Sequence, residues 1–187
     1  KKTDLTDFKT CQVLGVFMEK NLEPIVKDLQ TKFGATYEEF RGEVQCMVKA
    51  ENIVDVLKTL RDEHSFELLS VLNAIDYYPQ TSPRFHVVYQ LNSLSKNLRV
   101  QVRVPVNDDQ PKVPTVTGVF KTGMWREREV FDMFGIEFEG HPDPRRILMP
   151  EGTEGHPLRR DFPLGYEEPQ FTFNLEEIDL RKPYAKE

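Results

Sequence analysis

The sequence predicts an α+β fold: a mixed or antiparallel sheet covered on one face by two amphipathic helices, followed by a short helix and an extended C-terminal docking segment. Three observations carry this reading. Two stretches, opening near Asn21 and Asn52, place apolar residues at helical spacing. Two others, residues 85–91 and 98–104, alternate apolar and polar residues with the period of a strand. Beyond Gly135, prolines at 142, 144, 150, 157 and 163 leave no interval for a helix of ordinary length.

Taken in order, the residues before Asn21 mix Lys, Asp and Thr with a short apolar patch at 13–18, which suits either an arm or a first strand. In the first helix Leu22, Ile25, Val26, Leu29 and Phe33 form one stripe, and Gly34 is placed to end it. Residues 36–40 and 43–48 read as short strands around a turn at Arg41-Gly42, with Val44, Cys46 and Val48 on one face. The second helix opens at Glu51 or Asn52 and aligns Ile53, Val56, Leu57 and Leu60, while Asp55, Lys58 and Arg61 face away. Residues 66–78 read as a buried strand with a continuous apolar centre at Leu68, Leu69, Val71 and Leu72, and Pro79 to Pro83 turn the chain. In the next two strands Phe85, Val87, Tyr89 and Leu91, then Leu98, Val100, Val102 and Val104, take the core face. Residues 107–114 read as a polar loop. The chain divides beyond it into a scaffold, residues 1–120, and a signature helix with its docking segment, residues 121–187.

At 187 residues, with 39% hydrophobic and 30% charged side chains, the chain suits one globular domain with a large wet or partner-facing surface. It has no apolar run long enough to span a bilayer, its start does not resemble a secretory signal, and the missing initiator Met suits a trimmed N-terminus. A net charge of −6 argues against a free nucleic-acid-binding protein, since phosphate binding needs a basic field. Cys11 and Cys46 show no CxxC or Cys/His ligand spacing, so neither a disulfide framework nor an iron–sulfur cluster is indicated, and a reducing compartment is the simpler reading.

Residues 124–164 are the most unusual stretch, with the single tryptophan, two Gly-His-Pro triplets and the pairs Arg145-Arg146 and Arg159-Arg160. Val130, Phe131 and Phe134 predict a short helix that Thr122 or Gly123 caps and Gly135 ends. Glu127 shares their face, so its carboxylate needs a partner. Arg128 and Asp132 can pair at i, i+4, and Glu127 and Glu129 in an opening turn suit the helix dipole. Downstream, Ile136, Phe138, Ile147, Leu148, Met149, Leu158, Phe162 and Leu164 read as anchors of a fixed segment that presents arginines between them.

Several chemistries compete for these residues. His141, Asp143, His156 and Asp161 are good metal-ligand types, but they lack HExxH or HxH spacing, and histidines bracing loops through their ring nitrogens fit better. The arginine pairs suit phosphate by charge alone, since no Gly-rich loop accompanies them; guanidinium forks meeting Glu127, Glu129, Asp161 and acidic groups of a partner fit better. For Glu127, an internal ion pair tying helix to loop outweighs a proton relay. No Ser/His/Asp or Cys/His arrangement stands out.

The run Glu127, Arg128, Glu129, Asp132, Met133, Phe134, His141, Arg145 and Arg146 resembles the signature of the 30 kDa subunit family of respiratory complex I, the NADH:quinone oxidoreductase, whose bacterial members are its C subunits. The continuation Gly155-His156-Pro157-Leu158-Arg159-Arg160-Asp161 with Pro163, and the approach through Pro114-Thr115-Val116-Thr117 to Trp125, are also similar to that family. The sequence departs from it at Pro144, where an aliphatic residue is expected, and at Gly152-Thr153. The resemblance implies the same α+β fold and a chain without an active site or cofactor of its own. Iron–sulfur clusters, FMN, NADH and quinone would belong to partner subunits. Its neighbours would be the 49 kDa protein of the complex and iron–sulfur subunits, with no nucleic acid and only indirect membrane contact. The location implied is the cytoplasmic face of a bacterial inner membrane or the matrix face of a mitochondrial one. Alternatives are the equivalent subunit of a membrane-bound hydrogenase or ferredoxin-linked complex, or a free-standing metal-dependent enzyme.

Overall fold

The computed structural model describes residues 21–40, 43–150 and 152–163; the patch at 13–18, Cys11, the Arg41-Gly42 turn and Leu164 lie outside them. Helix α1 (Glu23–Phe33) has a proline in its first turn and ends at Gly34, whose φ of 64° lets its N–H close on Gln30 O. Strands β1 (Thr36–Phe40) and β2 (Glu43–Met47) follow as an antiparallel pair, then α2 (Ile53–Asp62) behind one short 3₁₀ turn. Strands β3 (Leu68–Asp76), β4 (Phe85–Ser93) and β5 (Leu98–Val106) complete a five-stranded sheet in the order β1-β2-β5-β4-β3. Only β2 and β5 run parallel, so the sheet is mixed.

One face of that sheet is buried as its alternation requires. Phe85, Val87, Tyr89 and Leu91 of β4 and Val100, Val102 and Val104 of β5 meet Ile25, Val26 and Leu29 of α1 and Ile53, Val56, Leu57 and Leu60 of α2 in one core. Cys46 belongs to this core, and burial pushes its thiol up to about 11, so it packs as an apolar group. Helix α3 (Gly123–Phe134) extends the same core with Val130, Met133 and Phe134, and it lies against β3.

Four expectations need correction. Strand β3 is buried on one face only: Leu69, Leu72 and Ala74 point inward, while Leu68, Val71 and Ile75 are exposed, with a register shift between Leu69 and Val71. The polar loop at 107–114 ends in β6 (Lys112–Pro114), which pairs in parallel with β7 (Glu137–Glu139), each strand too short to show a period. Helix α3 starts at Gly123, so Glu127 and Glu129 stand beyond its first turn, where the dipole effect has faded. Thr122 occupies the residue before α3 in a helical conformation, and its side chain does not cap.

The core holds one anomaly, because Tyr89 is fully buried and its hydroxyl meets no hydrogen-bond partner among the described residues. Burial, and then the charge of Glu127, hold its phenol well above the usual tyrosine range. An unsatisfied buried hydroxyl costs about 1–3 kcal/mol, so Tyr89→Phe should raise stability by about 1 kcal/mol in urea unfolding. A loss of stability would reveal a partner for that oxygen.

Candidate functional site

The site is built on α3, whose carboxylates and guanidinium turn into the protein. Glu127 is fully buried; Thr115 Oγ1 donates to its Oε2 at 2.6 Å and the Val116 N–H to its Oε1 at 2.7 Å. The side chain beside it is a histidine and not the expected arginine: His141 Nε2 stands 3.9 Å away, and no guanidinium reaches it among the described residues. Burial pushes the Glu127 carboxyl up, and the Thr115, Val116 and His141 contacts only partly restrain it. His141 braces the loop as expected. Its Nδ1 accepts the Asp143 N–H at 3.0 Å, which leaves the proton on Nε2 to donate to Met124 O at 3.0 Å.

Asp132, also fully buried, is the densest point. Its Oδ2 accepts the N–H groups of three successive residues, Ile147 at 3.0 Å, Leu148 at 2.8 Å and Met149 at 2.9 Å. Arg146 Nη1 reaches its other oxygen at 3.3 Å. Backbone donors converging on one anion form a nest, here closed around a side chain of the same molecule. Arg128 does not pair with Asp132 at i, i+4. It donates instead to the carbonyls of Arg145 at 2.9 Å and Arg146 at 3.0 Å, with Asp143 3.3 Å from its Nη1. One helix face thus supplies donors for two carbonyls and an acceptor for the next three amides. Arg145 bonds Asp143 through two nitrogens at 2.7 and 2.8 Å, which holds that carboxyl down at about 2.

The second Gly-His-Pro and Arg-Arg group closes the end of the same helix. His156 Nδ1 donates to Asp132 O at 2.9 Å, the Leu158 N–H to Met133 O at 3.1 Å, and Arg159 Nε to Phe134 O at 2.6 Å. Carbonyls that a helix leaves orphaned are therefore satisfied in sequence, with a cation at the negative end of the dipole. Gly135 makes the approach feasible: its φ is 72°, and a Cβ there would stand 2.5 Å from the His156 ring. Burial lowers the His156 pKa, with the charges of Arg159 and Arg146 adding to it against the pull of the Asp132 carbonyl.

Asp161, expected to meet a signature arginine, meets one that sequence reasoning missed. Arg84, nearly buried, holds Asp76 at 3.1 and 3.0 Å, Asp108 at 2.9 Å and Asp161 at 2.6 Å, with its guanidinium 4.9 Å from the Phe85 ring centre. The Arg160 N–H donates to Asp76 Oδ2 at 2.9 Å and its Nη1 to Tyr78 O at 3.4 Å. The sequence carried little signal for it: Arg84 directly precedes the alternating strand and falls outside its core-facing set of Phe85, Val87, Tyr89 and Leu91.

With this geometry in view, the family described as "Respiratory-chain NADH dehydrogenase, 30 Kd subunit" matches residues 46–168, which takes in the whole network from Asp76 to Asp161. The chain belongs to that family. It is 50% identical over 151 residues to the C subunit of NADH-quinone oxidoreductase from Roseiflexus sp. (strain RS-1), covering 80% of this chain and 86% of that one. Against the protein of the same name from Geotalea uraniireducens it is 41% identical over 150 residues, covering 79% and 90%. A solved trypsin-resistant fragment of Nqo5 is 35% identical with a TM-score of 0.59, covering 66% of this chain and 98% of the fragment. A chain of the membrane-bound sulfane sulfur reductase, an archaeal respiratory membrane complex, shares the fold at 22% identity and a TM-score of 0.68, covering 90% and 97%.

In this 30 kDa family chain the signature residues are brought together with one exception: Glu129, half-buried on α3, joins no bond of the network among the described residues. His141, Asp143, His156 and Asp161 do not converge on a common point. The described group whose ligand atoms lie within 4.8 Å of one another is Asp28, Glu63 and His64, where the Lys32 ammonium already bridges Asp28 at 3.0 Å and Glu63 at 2.7 Å.

Two outcomes follow for the network. Asp132→Asn leaves one carbonyl oxygen and an NH₂ against donors that two carboxylate oxygens satisfied, and should cost about 3 kcal/mol in urea unfolding, as breaking buried ionic bonds does; a cost near zero contradicts the geometry. For Asp76, burial raises the pKa but Arg84 and the N–H donors outweigh it, and for Asp161 Arg84 lowers it, so both stay ionised below the usual range. Their contribution is complete above the unfolded aspartate value, about 3.9, and is lost as pH falls through the lower folded values. Acid should therefore weaken the chain below roughly pH 4, and Arg84→Met should flatten that dependence in melts taken against pH.

Proposed function

We propose that this chain is a non-catalytic, cofactor-free subunit in the peripheral arm of a proton-translocating NADH:quinone oxidoreductase, where it holds its neighbours in register. The observation that carries the reading is Asp132, a buried carboxylate bonded to three loop amides and one guanidinium of its own chain. A signature whose charges are consumed in fixing a loop is the signature of a shaped surface. The imidazoles of His141 and His156 are likewise engaged with backbone groups, which favours scaffold over metal enzyme. The relatives at 41–50% identity carry the name of the NADH-quinone oxidoreductase C subunit, which favours that complex over its sister assemblies.

On this reading residues 1–120 form the scaffold and 121–187 the docking part, facing the 49 kDa protein and iron–sulfur subunits. Clusters, FMN, NADH and quinone reside in those partners, and the redox reaction belongs to the assembly. No helix among the described residues is long and apolar enough to cross a membrane. The chain then sits peripherally on the cytoplasmic face of a bacterial inner membrane, or the matrix face in a mitochondrion, through its partners. Electron tunnelling weakens steeply with distance, so a chain that fixes cluster-bearing neighbours governs turnover without touching an electron.

Glu127→Ala and Arg146→Ala should each lower the amount of assembled complex several-fold, because a lost buried bond of about 1–2 kcal/mol or more reduces abundance. The quinone-reduction rate per assembled complex should stay near that of the parent. Native electrophoresis of membranes with NADH-oxidation assays separates the two quantities. Normal assembly with abolished turnover would place chemistry in this chain instead.

A further inference from the structure

Helices α1, α2 and α3 all join one core with the inner residues of the sheet, and no described element covers its outer face. Strand register fixes which side chains share that outer face. Ile75 stands opposite His86, Asn73 opposite Val88, Val71 opposite Gln90 and Leu68 opposite Asn92, while Val88 stands opposite Arg103 on the next strand. Directly paired residues point to the same side. Exposed Leu68, Val71 and Ile75 therefore form an apolar column along β3, and Arg103 stands two strands away in the row between Val71 and Ile75.

Arg103 is half-buried there without a counter-ion. Its Nε donates to Gln101 Oε1 at 2.6 Å and its Nη1 to the Tyr77 hydroxyl at 3.5 Å, both neutral, and no carboxylate reaches it among the described residues. Beside it opens a cleft of about 220 Å³, lined in part by Met47, Tyr77 and His86; Glu38 of the opposite edge strand also lines it but forms no ion pair with Arg103. The chain itself arrives at this face, because the Arg160 N–H is bound to Asp76 and the Asp161 carboxylate to Arg84, where β3 ends and β4 begins. Beyond Pro163 the sequence brings Glu167, Phe171 and Phe173, separated by even numbers of residues, so extended chain turns all three to one side.

We propose that residues 164–173 fold back over the outer face of their own sheet, antiparallel to β3, with Glu167 paired to Arg103 and Phe171 and Phe173 over the apolar column. The lengths agree. Extended chain advances equally per residue in both segments, so the four steps from Pro163 to Glu167 match the four from Tyr77 back to Asn73, the row of Arg103. Phe171 then falls between Val71 and Leu68. Docking gives an arginine with only neutral partners a charge-assisted bond and takes exposed apolar side chains out of water. A segment on so short a tether competes at an effective concentration of millimolar order, which favours it over a separate polypeptide. The inference concerns the chain alone and does not depend on its place in an assembly.

The test places the photo-crosslinking amino acid p-benzoylphenylalanine at exposed Val71 in the full chain. Irradiation should give a link within one molecule to a residue between Pro169 and Phe173, located by mass spectrometry. Arg103→Glu and Glu167→Lys should each lower its yield about fivefold, the scale of a partly exposed ion pair. The two exchanges together should restore most of it, which separates lost docking from lost folding, while Glu168→Lys, on the side turned away, should leave it unchanged. Glu167→Lys carries the test where Arg103→Glu fails to fold. Absence of the link overturns the proposal, as does a link to a second copy, or to another polypeptide when the chain is irradiated in membranes. So does a yield indifferent to Glu167→Lys or equally sensitive to Glu168→Lys.

Discussion

The buried carboxylate of Asp132 is the constraint on which the signature region depends. A charge taken out of water must be met by donors at once or its helix position is untenable. On α3 those donors are three consecutive amides and one guanidinium, and they converge only if residues 147–149 curl around a single oxygen. The burial of one side chain thereby dictates the conformation of a proline-rich loop with no ladder of its own. Arg128, one turn earlier, reads the opposite polarity of the same backbone by binding the carbonyls of Arg145 and Arg146.

From that point the chain is stitched outward in order. His156, Leu158 and Arg159 satisfy the last carbonyls of α3, and Arg160 and Asp161 then reach Asp76 and Arg84 where β3 ends and β4 begins. On the other side Glu127 accepts from the Thr115 hydroxyl and the Val116 N–H in the segment that leads into the helix, and β6 pairs with β7 across the same junction. Helix, loop and sheet edge are therefore tied into one bonded piece. Such a piece is suited to presenting side chains at fixed positions, the property a subunit that spaces others requires.

Where the physics was local, the sequence was legible. The stripes of α1 and α2, the hairpin, and the inner faces of β4 and β5 follow from periodicity, because a repeating pattern reports which side meets the core. Periodicity does not name the partner of a charge. It turns Glu127 inward correctly, yet the contacts of that carboxylate are a threonine, an amide and a histidine, where an arginine was expected. Spacing alone pairs Arg128 with Asp132, and in the fold each prefers the loop backbone. Arg84 and Asp161 stand 77 residues apart, and no spacing rule spans that interval. The exposed outer residues of β3 were hidden because an apolar run looks the same whether one face or both are covered.

The central claim is that the signature loop is fixed by its own chain before any partner binds. Amide hydrogen exchange on the isolated full-length chain addresses it at the amides of Ile147, Leu148 and Met149, which have no helix or strand to protect them. If Asp132 holds them, they exchange as slowly as the amides in the middle of α3 and speed up together in Asp132→Asn. Exchange at the rate of an unstructured peptide, with slowing only in the assembled complex, would contradict the account and make the loop's shape a gift of the partner.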